Sequence, residues 1–307
     1  MARTIRGCCH DVVFAAGRLR RCCRSILPAP VRIRRWRGLA TVFAQPGEGS
    51  ALTDVSPLVA HLERVIEATS IEDIWSMHLD KMASYGFTRL LYGFTRFRTS
   101  NSFGNAEDVL VLSNHPENYL AEFVQSGLYN HAPMVKWAAA NEGACSWRLI
   151  GEMAASGAMT ATERRVLELN HRYDVRAGYS ISFHDVSVRA KGAIGLCAPP
   201  GMHQHEVDEI WDEHGREITV INNVTHLRIT AMPFASSRRA LTPRQREALE
   251  WVGDGKTMQD IATIMGLTPA TVEKHLRLAR EALDVETTAQ AVLKASFQNQ
   301  IFIFPDA

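Results

Sequence analysis

Lys274 and Arg277 lie one helical turn apart in the stretch TPATVEKHLRLARE. At about 100° per residue, Val272, Leu276, Ala279 and Leu283 share one side of a helix, which turns Ala270, Lys274 and Arg277 to the opposite side. Thr271, Glu273 and Arg280 fall on the flanks. Two cations so placed can meet phosphate oxygens or the acceptor edge of guanine. A charged outer face is usually no more than solvated surface, so the surrounding turn signals have to carry the distinction. Other reactive residue types lead less far. Ser182, His184 and Asp185 have the composition of a hydrolytic triad, yet no nucleophile elbow, Walker loop or dinucleotide glycine pattern accompanies them. The expectation is therefore no enzyme, no catalytic residue and no cofactor, with hydrolase activity in the middle of the chain a remote alternative. Cys8-Cys9 and Cys22-Cys23, with His10 nearby, are adjacent doublets, whereas zinc sites favour cysteines two to four residues apart. No metal is expected.

The elements around Lys274 and Arg277 are well punctuated. Residues 241 to 285 read as helix, turn, helix, turn, helix. Thr242-Pro243 opens the first helix with a cap and a first-turn proline, and Gly253 and Gly255 close it. Thr257 caps the second, whose Ile261, Ala262 and Met265 face inward, and Gly266 follows where a left-handed residue ends a helix. Thr268-Pro269 repeats the cap-plus-proline device for the third. Two short helices joined by such a turn make a helix-turn-helix unit, whose second helix enters the major groove. Between Arg238 and Lys294 there are nine Lys or Arg and eight Asp or Glu. Such a unit attracts DNA by placement and helix N-termini rather than by bulk charge.

The chain as a whole has 307 residues and 34.2 kDa, more than one hydrophobic core usually organises. Its formal charge is +1, but residues 1 to 40 hold ten Arg against Asp11 alone, a local +9 that leaves about −8 for the rest. Four of the six cysteines sit in this arm, so a disulfide framework for the body is ruled out and a reduced, cytoplasmic setting is expected. VVFAAG is too short and too closely bounded by His10, Asp11 and Arg18 for a secretory h-region. No run reaches 18 uncharged apolar residues, which excludes a spanning helix and a membrane partner. Residues 1–50 read as a disordered basic arm, a polyanion-binding arm, or residues upstream of the true start.

The middle of the chain mixes periods. Leu58, Leu62, Val65 and Ile66, then Ile71, Ile74, Trp75 and Met82, predict two amphipathic helices. Strand-like runs follow at 87–97, 108–112, 178–183 and 192–196, with helical segments at 116–126 and 162–170 between the second and third. From Gln204 to about Arg228, a stripe of Val207, Trp211, His214, Ile218, Ile221 and Val224 predicts a long helix covering one sheet face, with a subunit contact as the sharper reading. Ser180 and Ser182 point to one side of a strand, where their hydroxyls could meet a ligand. The segment 232–240, MPFASSRRA, is a linker.

The carboxy-terminal segment resembles the DNA-binding domain of LuxR-type transcriptional regulators. Leu241, Thr242, Pro243, Leu249, Gly255, Lys256, Ile261, Ala262, Gly266, Thr271, Val272 and His275 meet that family's pattern; Gln245 stands where it usually has Glu. The resemblance implies a fourth helix, about 288–297, able to pair two subunits. Residues 56–230 resemble the same family's quorum-sensing, autoinducer-binding domain. Its signature of Trp, Tyr four later, Asp-Pro nine after that, and a further Trp falls on Tyr119, Phe123, Ala132-Pro133 and Trp147. In that family the Asp accepts the ligand's amide proton, the first Trp donates to the lactone carbonyl and the Tyr hydroxyl contacts the acyl carbonyl. Here Tyr119 keeps a donor, Phe123 has no hydroxyl and Ala132 no carboxylate. Losing a charged partner to a buried N–H costs roughly 1.5–3 kcal/mol, tenfold or more in affinity.

The expectation is an α+β protein in four parts. A basic arm (1–50) precedes an α/β/α sandwich ligand-binding domain with a mainly antiparallel sheet (51–231), a linker (232–240) and an all-α four-helix helix-turn-helix domain (241–307). Thr271, Glu273, Lys274, Arg277 and Arg280 are the candidate DNA contacts. Tyr119, Phe123, Ala132, Trp147, Ser180 and Ser182 are the candidate pocket. The partners expected are double-stranded DNA, a second copy of the chain, and a small-molecule signal that is not an ordinary acyl-homoserine lactone. A ligand-independent regulator, its sensor closed on its own aromatics, is the alternative.

Overall fold

The computed structural model describes residues 56–99, 108–184, 187–234 and 240–302. The basic arm with its cysteine doublets, Asp185 and most of the expected linker lie outside the described residues.

Two helices come first, α1 (Pro57–Glu67) and α2 (Ile71–Ser84), the second capped by the Ser70 side chain on the Asp73 N–H. β1 (Arg89–Thr95) and β2 (Leu110–Ser113) follow, then a short helix α3 (Glu117–Leu120) that widens into a π-helical turn (Ala121–Gln125), and a 3₁₀ turn (Leu128–His131). The middle closes with α4 (Pro133–Ala140), β3 (Gly143–Ser146), α5 (Arg148–Ala155), α6 (Ala161–Arg172), β4 (Gly178–Ser182), β5 (Lys191–Cys197) and the long α7 (Gln204–Ala231). Four more helices, α8 (Pro243–Gly253), α9 (Met258–Met265), α10 (Pro269–Leu283) and α11 (Thr288–Phe297), end the described chain. The fold is α+β, with an all-helical carboxy-terminal region.

The five strands form one antiparallel sheet in the order β2-β1-β5-β4-β3. Because side chains alternate across a strand, the register sorts them into two faces. Leu90, Leu196 and Tyr179 align on one face, as do Tyr92, Ile194 and Ile181. They bury against Val65, Ile74 and Met82 of the first helices and Val207, Ile218, Ile221 and Ile229 of α7. Ile66, expected in the inward stripe of α1, is 58% exposed. Its neighbour Val65 takes the core position, and a helix turning 100° per residue cannot bury both equally.

Hydrogen bonds tie α7 to the sheet and to α2. Asp208 accepts from Ser146 Oγ and Tyr179 Oη at 2.8 and 2.9 Å and pairs with Arg148. Burial works against its ionisation, but a bond from Gln204 Nε2 at 3.0 Å together with these holds its carboxyl below the usual range. Deeper in, His78 Nε2 donates to Asn222 Oδ1 at 3.1 Å, and Thr225 Oγ1 lies 3.2 Å from His78 Nδ1, the arrangement of a neutral ring. Full burial pushes the His78 pKa down to about 4.

A folded pKa of about 4 against about 6.5 unfolded means that the unfolded chain binds the extra proton first as pH falls. The stability His78 contributes is complete above about pH 6.5 and is lost between 6.5 and 4, by about 3 kcal/mol. Urea midpoints at pH 7.5 and 4.5 should therefore differ strongly in the wild type and less in His78→Gln. Equal slopes in both would show that other groups carry the acid sensitivity.

Candidate ligand cavity and nucleic-acid interface

The opposite face of the sheet is floored by small side chains. Gly93 pairs with Ala193, Leu91 with Gly195, and Ser180 with Gly195 across β1, β5 and β4. Apart from Leu91 and Lys191 little bulk rises there, and a cavity of about 210 Å³ opens between the sheet and the segment from α3 to α6. Its walls are mainly apolar, among them Val109, Val111, Met134, Ile150 and Val166, and among the described residues no Asp or Glu lines it. Gly178 brings Trp147 close, because a Cβ there would collide with the Leu196 carbonyl and the Trp147 ring.

Five of the six residues expected at the pocket line the cavity. Tyr119 and Phe123 stack at 5.3 Å, with His115 on the other side of Tyr119 at 4.8 Å. These three residues, four apart, form an aromatic wall along α3 and the π-helical turn, and their spacing is visible in the sequence. His115 escapes sequence reasoning because it precedes the expected helix start at Pro116. Ala132 is the N-cap residue of α4, where no side chain caps the helix. Ser180 accepts from Trp147 Nε1 at 2.9 Å. Ser182 shares the face but does not line the cavity; its hydroxyl is engaged with the carbonyls of Ala138 and Asn141. Of the residues in the triad reading, His184 Nδ1 faces Glu142 Oε2 at 2.6 Å and the Ser182 hydroxyl faces backbone carbonyls, while Asp185 lies outside the described residues.

The polar groups of the cavity are few and partly committed. Tyr119 Oη donates to Asn170 Oδ1 at 3.1 Å, so the donor that might have met a lactone carbonyl is already used. Lys191 Nζ reaches the carbonyls of Phe183 and Asn141. Burial, helped by the Arg89 cation, lowers the His115 pKa to about 4, so the ring is neutral. Among the described residues, the groups left for a ligand include the Ser180 hydroxyl proton, the Asn170 amide hydrogens, lone pairs on Tyr119 and the buried His115 Nδ1, which has no partner. The Ser180 and Asn170 groups are donors.

The helix-turn-helix residues take the geometry their caps imply. Thr257 and Asp260 form a capping box, Gly266 adopts φ +66°, and Thr268 Oγ1 caps the Thr271 N–H at 3.2 Å. Val272, Leu276, Ala279 and Leu283 are buried with Ala248, Leu249, Ile261 and Ala262. Gln245 does not weaken its helix start, because its Oε1 accepts the Thr242 N–H at 2.9 Å and completes a capping box. Glu273, Lys274 and Arg277 are exposed, while Thr271 and Arg280 are half-buried. Arg277 pairs with Glu281, and Arg280 with Glu273 at 2.9 Å while also bonding Thr288. Each of the two arginines is thus held by an acid one or two turns away.

Comparison with known proteins follows the same division. The autoinducer binding domain family matches residues 70–229, and the family of sigma-70 region 4 matches residues 239–283. A putative HTH-type transcriptional regulator, y4qH, from Sinorhizobium fredii is 24% identical over 194 residues, covering 62% of this chain and 56% of its own length. The transcriptional activator protein VanR from Vibrio anguillarum is 26% identical over 196 residues, covering 61% and 75%. Among solved structures, Escherichia coli SdiA covers 80% of this chain and 98% of its own at 14% identity, with a TM-score of 0.44. Among the described residues no helix is long and apolar enough to cross a membrane, and no cluster of His, Cys, Asp or Glu could hold a metal ion.

The close approach of Trp147 to β4 yields a direct test. Gly178→Ala sets a methyl against backbone that cannot move aside, so it should destabilise the chain by about 3 kcal/mol, the upper end for overpacking. Equilibrium urea unfolding measures this, and an unchanged midpoint would mean that β4 and Trp147 can part without cost.

Proposed function

The chain belongs to the LuxR-type family of transcriptional regulators that carry an autoinducer-binding domain, and from that premise we propose that it is a cytoplasmic, homodimeric DNA-binding regulator whose middle domain (51–231) takes a small, neutral, mainly apolar ligand. A helix-turn-helix domain (241–307) delivers the response, joined by the linker at 232–240. The observation that carries this reading is the cavity itself, mainly apolar, lined among the described residues by no carboxylate, and floored in large part by aligned small residues. A ligand suited to it presents acceptor oxygens, of ester or ketone type, to the Ser180 hydroxyl and the Asn170 amide. An amide N–H would find no carboxylate at Ala132. Tyr119, Phe123, Trp147 and Ser180, joined by His115 and Asn170, are the residues proposed to hold the ligand.

Lys274 and Arg277 are proposed to contact DNA, with Thr271, Glu273 and Arg280 at the edge of the interface. The ion pairs of Arg277 and Arg280 must open or rotate as phosphate arrives. Pairing of two copies is supported by apolar residues left outside the core. Val220 and Leu227 on α7, and Val59 and Ile66 on α1, are exposed and spaced seven residues apart on each helix. The stripe from Val207 to Val224 covers the sheet, as its pattern leads one to expect, with Val207, Ile218 and Ile221 fully buried, which leaves a subunit contact to the exposed residues.

Two measurements test the reading. Lys274→Ala with Arg277→Ala should weaken duplex binding by tenfold or more, with thermal unfolding unmoved. The slope of log K against log salt should flatten by about 0.9 for each phosphate that is no longer neutralised. Unchanged affinity would remove that helix face from the interface. Calorimetry with a panel of acyl-homoserine lactones should show weak or no binding to the wild type and a gain of about tenfold or more in Ala132→Asp, the worth of a charge-assisted hydrogen bond. Tight binding by the wild type, unimproved by the carboxylate, would show that another residue accepts the amide proton.

A further inference from the structure

The outer face of α10 carries an acid where a polyanion would repel one. Ala270, Glu273, Lys274 and Arg277 stand at i, i+3, i+4 and i+7, and all four are exposed. That spacing lays them along one side of the helix. A carboxylate brought up to phosphates costs affinity unless a donor meets it. The use of Glu273 has to lie either in the helix itself or in the bases.

Helix stability does not account for it. Thr268 already caps α10, and the first turn, where an acid complements the helix dipole, holds none. An exposed ion pair adds little. The carboxylate is nonetheless held in one place. Arg280, two turns further on and with its side chain only 20% exposed, donates through Nη2 to Glu273 Oε1 at 2.9 Å and through Nη1 to Thr288 Oγ1 at 2.8 Å. A guanidinium anchored at the start of α11 thus grips one carboxylate oxygen. The other, Oε2, has no hydrogen bond among the described residues. Because Thr288 anchors Arg280, this pair can rotate without opening as DNA arrives, whereas Arg277 is tied only to Glu281 on its own helix.

What a carboxylate oxygen can accept in the major groove is limited to the amino groups of cytosine and adenine. Adenine sets the acceptor N7 beside its amino group, which repels a carboxylate. Cytosine shows a donor and no acceptor of its own in that groove. The next residue, Lys274, presents an ammonium suited to O6 and N7 of the guanine paired with that cytosine. An acid and a cation side by side therefore match the edge of a G·C pair.

We propose that Glu273 reads a cytosine through Oε2, with Arg280 as its positioning residue, so that the DNA site of this protein carries a fixed G·C pair opposite Glu273. This rests on the DNA-binding reading given above. The acid contributes discrimination rather than affinity. At any other base pair it is left desolvated without a donor, which counts against that sequence.

The test selects bound duplexes with the full chain from a pool randomised over about 20 base pairs, two helical turns, and sequences them. Wild type, Glu273→Gln, Glu273→Ala and Arg280→Met are compared. The wild type should enrich a motif with one cytosine preferred about fivefold or more. Glu273→Gln should select adenine at that position and leave the rest of the motif unchanged, because an amide bonds adenine N6 and N7 together. Glu273→Ala should lose the preference there alone, and Arg280→Met should keep cytosine with a weaker preference. Since Glu273 is exposed, the urea midpoints of its two variants should stay at the wild-type value. A motif unchanged at every position in Glu273→Gln or in Glu273→Ala overturns the base contact, and one unchanged in Arg280→Met overturns the positioning role. A wild type that enriches no motif sinks the DNA-binding reading, and the base contact with it.

Discussion

The alternation of side chains across β1, β5 and β4 is the constraint on which the molecule rests. One parity holds Leu90, Tyr92, Ile181, Ile194 and Leu196, and gives the core under α7; the other, apart from Leu91 and Lys191, holds small residues such as Gly93, Ser180, Ala193 and Gly195, and gives empty space. A slip of one residue in register would turn the large residues into the cavity and the glycines into the core, abolishing both at once. Stability and binding capacity are thus specified by the same pairing, and Asp208 and His78, by bonding α7 to β3, β4 and α2, hold the helix over the face that needs it.

Much of this is legible in the residues. The capped helices α8 to α10 follow from Thr242-Pro243, Thr257, Gly266 and Thr268-Pro269, because caps and a left-handed glycine are local devices that do not wait for tertiary context. The strands at 178–182 and 191–197 and the long α7 follow from composition and period. What escapes is α4, β3 and α5. PMVKWAAA is short and almost uniformly apolar, so it shows no amphipathic period, and GACS has no branched or aromatic residue to mark a strand. Their existence depends on what they cover.

The cavity is legible in part. Tyr119, Phe123, Ala132 and Trp147 are located by resemblance to the family signature, but the facts that Tyr119 is spent on Asn170 and Trp147 on Ser180 are matters of geometry between residues tens of positions apart. Ser180 and Ser182 share a face, as period two requires, yet only the first lines the cavity. The carbonyls at the end of α4 take the second, and no pattern within β4 could say so. Nor can the buried pair of Asp108 and Lys294, 2.7 Å apart, be read beforehand, since each looks like an ordinary surface charge until the chain folds.

The sheet ends on both sides in strands of only four residues, β2 and β3. An open edge offers unpaired N–H and C=O groups to any passing strand, and the hazard grows with the length of straight backbone on offer. β3 starts at Gly143, held at φ +85°, and runs straight into the helix that begins at Arg148, so its edge is cut off at both ends. β2 stops at Ser113, whose hydroxyl turns back to donate to the Leu90 carbonyl of the neighbouring strand. A protein that must keep a cavity open over half of its sheet gives up the packing that would otherwise stiffen that layer. Short margins keep the resulting pliancy from becoming a route to strand-by-strand aggregation.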